Sequence, residues 1–398
     1  MNNNIRNLYK ISSKKTRTII GLMSGTSLDG LDIALCSISG SGHKTKVALK
    51  SFTTIPYDDE IRRRILSVFA KPVIEFQLLS ELNAWLALKH ASMITSTLKR
   101  WRIKRASVDV VASHGQTVFH APMAITRGVS VNSTLQIGDG DHMAVATGII
   151  TLSDFRQKHI AGGGEGAPLA VYGDYLLFSK KNEDRIMLNI GGIGNFTFLP
   201  GSLRSDKVFV TDTGPGNTMI DQAMRHFFQG KPFDKNAEVG LSGDVNPSLL
   251  SALKSNSFFS LPFPKTTGPE QFNMEYLKAA QQQSNTTSIA VPDIIATLTR
   301  FSAETICDAI SLASGKKRRQ NIFLSGGGAH NPLIVKWIKE LVPDCTFSTT
   351  TVLGIDGDAK EAVLFAVLAN EALAGGKIRF GNRHKVPSVS MGKVSFPK

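Results

Sequence analysis

The sequence predicts an α/β protein of two domains, on three observations. Apolar, strand-like runs repeatedly break into glycine accompanied by acid, amide or hydroxyl groups. Long amphipathic helical stretches lie between those runs. The second half of the chain also starts the pattern afresh, residues 186–198 echoing residues 18–36 as though the unit were duplicated. At 398 residues there is room for two domains with ample cores. The reading divides the chain into residues 1–165 and 166–398, the C-terminal helix being able to pack back on the first domain.

Composition excludes several classes of function. Hydrophobic content of 42% with 20% charged residues describes a soluble globular protein, and no apolar stretch is long enough to span a membrane. Residues 1–18 are polar and basic without an apolar core, so they read as a short flexible tail or an organellar targeting segment rather than a secretory signal. Cys36, Cys307 and Cys345 are too few and too scattered for a disulfide framework or a metal site, which suits a reducing cytoplasm. The net charge of +14 is dispersed over Lys14, Lys15 and Arg17, residues 99–105, residues 316–319 and the tail from 377. None of these clusters is interleaved with aromatics in an RNA-binding pattern, so the expectation is a solvated basic surface that favours anionic small molecules. Nucleic acid and membrane are not expected partners; a homodimer is left open.

The densest chemistry lies at Asp212-Thr213-Gly214-Pro215-Gly216-Asn217, after the apolar run Val208-Phe209-Val210. Three β-formers, an acid, a Gly-Pro-Gly turn and a helix start read as a strand–loop–helix junction. Its glycines (Gly214, Gly216) let backbone approach a ligand, and N–H groups at the helix start, near Asn217, favour phosphate. Asp212 is expected at the strand tip. An acid that merely caps its helix or binds Mg²⁺ would read the same way.

In chain order, the run 17–23 enters Ser24-Gly25-Thr26-Ser27-Leu28-Asp29-Gly30 and returns through residues 31–36, a hairpin whose hydroxyls and amides suit phosphate. Gly21, Ser24, Gly25, Thr26, Ser27, Asp29 and Gly30 are its candidate phosphate contacts, and Asp29 could hold Mg²⁺ directly or through water. Helices are expected over 57–71 and 76–101. A buried strand at 108–112 leads into Ser113-His114-Gly115-Gln116-Thr117, where His114 alone reads more simply as a hydrogen-bonded core histidine. A strand at 149–153 precedes Asp154-Phe155-Arg156. The glycine-rich run from Ala161 to Pro168, including Gly166 and Ala167, reads as a hinge or a substrate-lining backbone, ahead of a helix at 169–179. The hairpin 186–198 turns at Gly191-Gly192. Residues 234–272 look irregular. A helix at 291–314 is followed by a strand at 321–325 that opens into Gly326-Gly327-Gly328, where backbone can lie against a nucleobase or ribose, and then by a helix. A last helix, 358–374, carries Glu361, and an extended basic tail follows.

No Gly-x₄-Gly-Lys-Ser/Thr loop, Gly-x-Gly-x-x-Gly fingerprint, His-Glu-x-x-His or nucleophile elbow is present. Two hairpins with phosphate-gripping turns and a late triple glycine describe the actin/Hsp70/sugar-kinase-like architecture, with ATP in the interdomain cleft. The motifs at 21–30, 113–117, 154–156, 166–169, 189–192, 212–217 and 326–329 together resemble the anhydro-N-acetylmuramic acid kinase family, in family order over residues 17–374. The resemblance implies an ATP-dependent, Mg²⁺-requiring kinase of peptidoglycan recycling. Such enzymes open the 1,6-anhydro bridge of 1,6-anhydro-N-acetylmuramic acid and phosphorylate O6, giving N-acetylmuramic acid 6-phosphate. It implies Asp212 as catalytic base and the turn 21–30 as ATP site, with Gly191, Gly192, Gly214, Gly216, Asn217, Gly326, Gly327 and Gly328 also on the nucleotide. His114, Gln116, Thr117, Arg156, Gly166, Ala167, Pro168 and Glu361 fall on the sugar side. Departures cluster there: His159, Gly162 and Glu165 replace the usual Asp, Ala and Gln, and Pro269 replaces the Arg of Thr-Gly-Arg-Glu. Levoglucosan kinases are similar and act on anhydroglucose, giving glucose 6-phosphate. A kinase of ordinary hexoses and a non-catalytic ATP switch of the actin/Hsp70 kind are the other readings.

Overall fold

In unit 1 the centre is Thr16–Ser24 (β1), whose Ile19, Ile20 and Leu22 are buried, as befits a strand covered on both faces. The computed structural model describes residues 1–123, 126, 128–315, 319–375, 380 and 386–398; of the basic clusters, residues 316–318, 377–379 and 381–385 lie outside the described residues. Unit 1 comprises Met1–Phe178 and Gly354–Lys398, and unit 2 comprises Ser179–Leu353. On one side of β1, Gly30–Ser39 (β2) and then Lys46–Pro56 (β3) pair antiparallel. On the other, Val110–Ala121 (β4) runs parallel to β1, with Ser133–Ile137 (β5) antiparallel and Thr151–Ser153 (β6) parallel to β4.

A parallel step needs a crossover, and the helix Phe76–Arg100 supplies the one between β3 and β4. Its Leu82, Leu86, Ile94 and Leu98 join Ile20 and Leu22 in the core. The helix Lys360–Ala374 lies against β1 so closely that a Cβ on Gly21 would fall 1.8 Å from the Ala362 carbonyl oxygen. The helix Ala170–Phe178 belongs to the same unit: a Cβ on Gly173 would meet Leu364 Cδ1 at 2.5 Å, and Lys360 pairs with buried Asp174 at 2.8 Å. The sequence-based division at 165 therefore falls inside unit 1, and the run 161–168 is not at the passage between the units.

Unit 2 repeats the scheme with Arg185–Ile190 (β7), Ile193–Leu199 (β8), Phe209–Pro215 (β9), Asn321–Ser325 (β10) and Thr346–Thr349 (β11). β8 and β9 follow β7 antiparallel, while β10 and β11 continue from it in parallel. The central helix Val291–Ser314 packs Ile294, Leu298 and Phe301 on Ile186, Leu188 and Ile190. The echo read in the sequence is thus a repeat of topology. The chain then returns to unit 1, where Lys393–Ser395 (β12) pairs antiparallel with β6.

Several expectations are corrected. The N-terminal segment is not a flexible tail: Asn3–Ser12 is a helix capped by Asn2, with Ile11 buried. β4 does not end at 112 but continues through 113–117, with Gly115 at φ +73 and a register shift opposite Leu22 and Ser24. Residues 234–272 include the helix Pro247–Lys254, capped by Asn246 and opened by proline at its start. The tail ends in a strand rather than only extended chain.

Gly21→Ala should cost about 1–3 kcal/mol, because the methyl group overlaps helix backbone rather than a side chain that can turn away. A lowered thermal midpoint checks this; an unchanged midpoint would mean that the helix yields freely.

Candidate functional site

Unit 2's glycine loops are tied to each other. The amides of Gly216, Asn217 and Thr218 donate to the carbonyls of Gly192, Gly191 and Gly192 at 2.8, 2.8 and 3.0 Å. Gly216 sits so close that its Cβ would be 2.3 Å from the Gly191 oxygen. This corrects the expectation that the amides at this helix start are available to phosphate: those three are spent on the neighbouring turn. Gly214, at φ +134, faces the Phe259 ring, and a Cβ there would lie 2.9 Å from Phe259 Cε1. Gly326 (φ +82) and Gly328 lie on the end of β7, where Cβ atoms would meet Asn189 Oδ1 at 2.6 Å and Ile190 Cγ2 at 2.3 Å. Gly327 is exposed, its nearest neighbour being Asn217 Nδ2 at 3.7 Å.

Asp212 is not at a strand tip. β9 runs on to Pro215, and its register with β8 shifts between Gly194, opposite Gly214, and Asn195, opposite Asp212. The extra residue, Thr213, turns inward and donates to the Gly194 carbonyl at 3.0 Å. Such a bulge re-aims the neighbouring side chain. The segment from Lys265 to Thr267 runs alongside: Asp212 N donates to Lys265 O at 2.9 Å, and Thr267 N donates to Asp212 Oδ2 at 2.9 Å. Burial raises the Asp212 carboxyl to about 6, with the Thr267 amide pulling it back. Lys265 is itself buried, its ammonium donating to the carbonyls of Phe258 and Phe259 at 3.1 and 3.0 Å. Neither Lys265 nor the Thr267 amide was a sequence candidate; the signals were the polar Thr266-Thr267-Gly268 in a segment read as irregular and the Thr267-Gly268-Pro269-Glu270 likeness to Thr-Gly-Arg-Glu.

In unit 1 the turn between β1 and β2 is held from beneath. Tyr57 Oη donates to Ser24 Oγ at 2.7 Å and lies 2.7 Å from His90 Nε2; Ser24 Oγ donates in turn to Gln116 Oε1. Gln116 Nε2 then donates to the carbonyls of Gly25 and Thr117, each at 3.2 Å. Ser24 and Gln116 are therefore buried supports rather than outward contacts, against the sequence assignment to ATP and sugar. Gly21 and Gly30 are packing glycines, Gly30 lying against the Ile55 carbonyl. Thr26, Ser27 and Asp29 are the exposed polar groups, with Gly25 half-buried. Tyr57 and His90 were missed because each looks like ordinary core filling on an apolar face.

His114 is buried and fully used. Its Nδ1 donates to the Gly115 carbonyl at 2.8 Å, its Nε2 accepts from Arg156 Nε at 2.8 Å, and burial beside Arg156 lowers its pKa to about 3. It is a neutral prop for Arg156, not a group able to reach a substrate. Arg156 Nη1 also donates to Gly166 O at 2.8 Å, while Gly166 N donates to His159 Nδ1 at 2.9 Å. The end of the glycine run is thereby tied to Arg156 and His159. Thr117 Oγ1 accepts from Gln136 at 3.0 Å. Ala167 is half-buried and Pro168 exposed. Glu361 is exposed in the first turn of its helix; the surrounding protein raises its carboxyl, opposed by attraction to Arg156 and Lys360.

Among the described residues no group of three His, Cys, Asp or Glu could hold a metal ion. A single exposed carboxylate, Asp29, suits Mg²⁺ that arrives on a nucleotide and keeps most of its own ligands.

The family model described as anhydro-N-acetylmuramic acid kinase matches residues 17–386. A protein named anhydro-N-acetylmuramic acid kinase from Pseudoalteromonas atlantica is 51% identical over 401 residues, covering 100% of both chains. One of the same name from Caldanaerobacter subterraneus is 37% identical, covering 98% of this chain and 99% of its own. Among solved structures, a hexokinase from Schistosoma mansoni complexed with glucose matches at 10% identity, covering 90% of this chain and 86% of its own, with a TM-score of 0.36. An activator of 2-hydroxyisocaproyl-CoA dehydratase from Clostridium difficile with bound ADPNP matches at 12% identity, covering 89% and 95%, with a TM-score of 0.38. The two structural likenesses are too weak to decide a function.

The glycines at 327 and 328 should part company on substitution. Gly328→Ala should destabilise the fold by about 1–3 kcal/mol through overlap with Ile190, whereas Gly327→Ala should leave the unfolding midpoint nearly unchanged. Thermal unfolding of the two variants side by side checks this, and equal shifts would contradict it.

Proposed function

Because the chain belongs to the anhydro-N-acetylmuramic acid kinase family, we propose that it phosphorylates O6 of 1,6-anhydro-N-acetylmuramic acid from MgATP while water opens the 1,6-anhydro bridge. The product is N-acetylmuramic acid 6-phosphate. The observation that carries the reading is Asp212. It is a carboxylate aimed by a bulge and held by one backbone amide, and its pKa is brought to about 6, within reach of neutral pH.

In this mechanism Asp212 takes a proton from water as the water oxygen bonds to C1. The C1–O6 bond breaks, O6 bonds to the γ-phosphorus, and ADP leaves. Water activation needs one well-placed base, and phosphoryl transfer needs mainly alignment and charge neutralisation. The Thr267 amide fixes one oxygen of Asp212; among the described residues no donor reaches the other. Thr26, Ser27 and the Asp29 carboxylate are the groups of the first hairpin turn that would hold the phosphates and the Mg²⁺ of MgATP, the ion supplying charge neutralisation; in unit 2, Gly327 has bare backbone suited to a nucleoside. On the sugar side, Arg156 supplies a cation suited to a substrate bearing a carboxylate, with Glu361 beside it in charge. Levoglucosan has no such carboxylate. The cysteines, two of them buried, suit a cytoplasmic setting, and no helix among the described residues is long and apolar enough to cross a membrane.

ADP release measured with 1,6-anhydro-N-acetylmuramic acid, levoglucosan and glucose tests the proposal. Turnover is expected on the first; turnover on levoglucosan alone, or ATP hydrolysis indifferent to sugar, would overturn it. Gly327→Phe should weaken ATP binding by calorimetry while the protein stays folded.

Asp212→Asn should lower kcat by ~10²–10⁴ with ATP affinity near normal. The base works only when ionised, so kcat/KM of the wild type should fall as pH drops through about 6. That acid limb should vanish in the residual activity of the Asn variant. A variant keeping more than about a tenth of the wild-type kcat would sink the assignment.

A further inference from the structure

The last residues of the chain lie outside the span matched by the family model, which ends at 386, yet they are built into unit 1. β12 pairs Lys393, Val394 and Ser395 with Ser153, Leu152 and Thr151, directly before Asp154-Phe155-Arg156. Lys393 Nζ meets Asp154 Oδ2 at 2.8 Å, and Asp154 holds the left-handed conformation, φ +57, that starts the helix carrying Arg156. A Cβ on Gly392, at φ +104, would fall 3.3 Å from Phe155 Cε1.

Upstream in the tail, Tyr172 Oη donates to the Pro387 carbonyl at 2.7 Å. Pro387 and Val389 then press on the glycine run. A Cβ on Gly162 would fall 2.7 Å from Val389 Cγ1 and 3.1 Å from Pro387 Cβ; one on Gly164 would fall 2.2 Å from His159 Cε1 and 2.9 Å from Pro387 Cδ. Bare backbone at 162 and 164 is what lets the tail seat.

We propose that residues 387–398 are a positioning strap, which sets the geometry of Arg156 and of the 162–166 run for the sugar, and that the bare backbone at Gly162 is what admits it. The link to Arg156 is short. The strap fixes Asp154 and Phe155 on one side and residues 162–164 on the other, and Arg156 spans them through Gly166 O. No atom of the strap is assigned to the substrate. The inference rests on the sugar-side reading of Arg156 given under Proposed function.

Three variants test it: deletion of 387–398, Gly162→Ala, and Gly162→Ala with Val389→Ala. The first two should raise KM for 1,6-anhydro-N-acetylmuramic acid by about tenfold or more, the scale expected when a binding group is displaced, while KM for ATP stays within about twofold. Val389→Ala should return the Gly162→Ala variant to within about threefold of the wild type, because it removes the Cγ1 that the new methyl meets. Amide hydrogen exchange should quicken at 154–166 in the deletion variant. Unchanged sugar KM in folded deletion protein, or equal loss toward both substrates without rescue, would overturn the strap. If the deletion variant does not fold, the Gly162–Val389 pair decides alone. A wild type that ignores this sugar would instead refute the functional reading, and hydrogen exchange at 154–166 would then decide the strap by itself.

Discussion

In unit 2, three hydrogen bonds between two glycine turns hold the rest in place. Gly216, Asn217 and Thr218 donate to Gly191 and Gly192, so the end of β9 and the start of the next helix are bound to the β7–β8 turn. Only glycine permits that approach, since a Cβ at 216 would occupy the Gly191 oxygen. With β9 pinned at its far end and paired with β8 before it, the surplus residue must be absorbed in the middle. The bulge at Thr213 does this, and Asp212 takes its direction from it. The carboxylate is thus placed by backbone rather than by neighbouring side chains, which leaves it with one amide and a pKa displaced upward.

Unit 1 reaches rigidity by another route. There a buried chain of neutral groups, His90, Tyr57, Ser24 and Gln116, ends on the Gly25 carbonyl. Burial lowers the His90 pKa to about 4 and raises that of Tyr57, so no charge is stranded along it. Neutral His114 and the Arg156 cation hold the end of the 162–166 run through the Gly166 carbonyl. In both units many of the glycines and polar residues that look most like ligand contacts are occupied with the protein, and the exposed candidates are Thr26, Ser27, Asp29, Pro168, Gly192, Gly326, Gly327 and Glu361.

Much of the architecture was legible because β1, β7 and β10 are apolar runs that break into glycine and the long helices between them are amphipathic, whereas β3 and β11 are more polar, end without glycine and were not read as strands. The repeat of topology showed as the echo between 18–36 and 186–198. What was not legible depended on partners remote in sequence. Gly21 reads as a phosphate glycine until the helix from Lys360 is laid on it, and Gln116 reads as a sugar contact until Ser24 reaches it. Local propensity also understated the capped ends: Asn2 and Asn246 start helices in stretches whose composition suggested coil. Family resemblance pointed to Asp212 and touched the segment at 267–270, but not the hydrogen bond between them, which joins residues 55 apart in sequence.

Unit 2 is one continuous stretch of chain, Ser179–Leu353, inserted into a unit built from both ends of the sequence. During synthesis its sheet can close as soon as β11 has emerged. Unit 1 must meanwhile wait, with the face of β1 at Gly21 uncovered until the helix Lys360–Ala374 arrives and the edge of β6 unpaired until Lys393–Ser395 follows. An apolar face and an open strand edge, exposed together on a nascent chain, are what chaperones bind and what aggregation exploits. The half of the protein translated first is thus the half finished last.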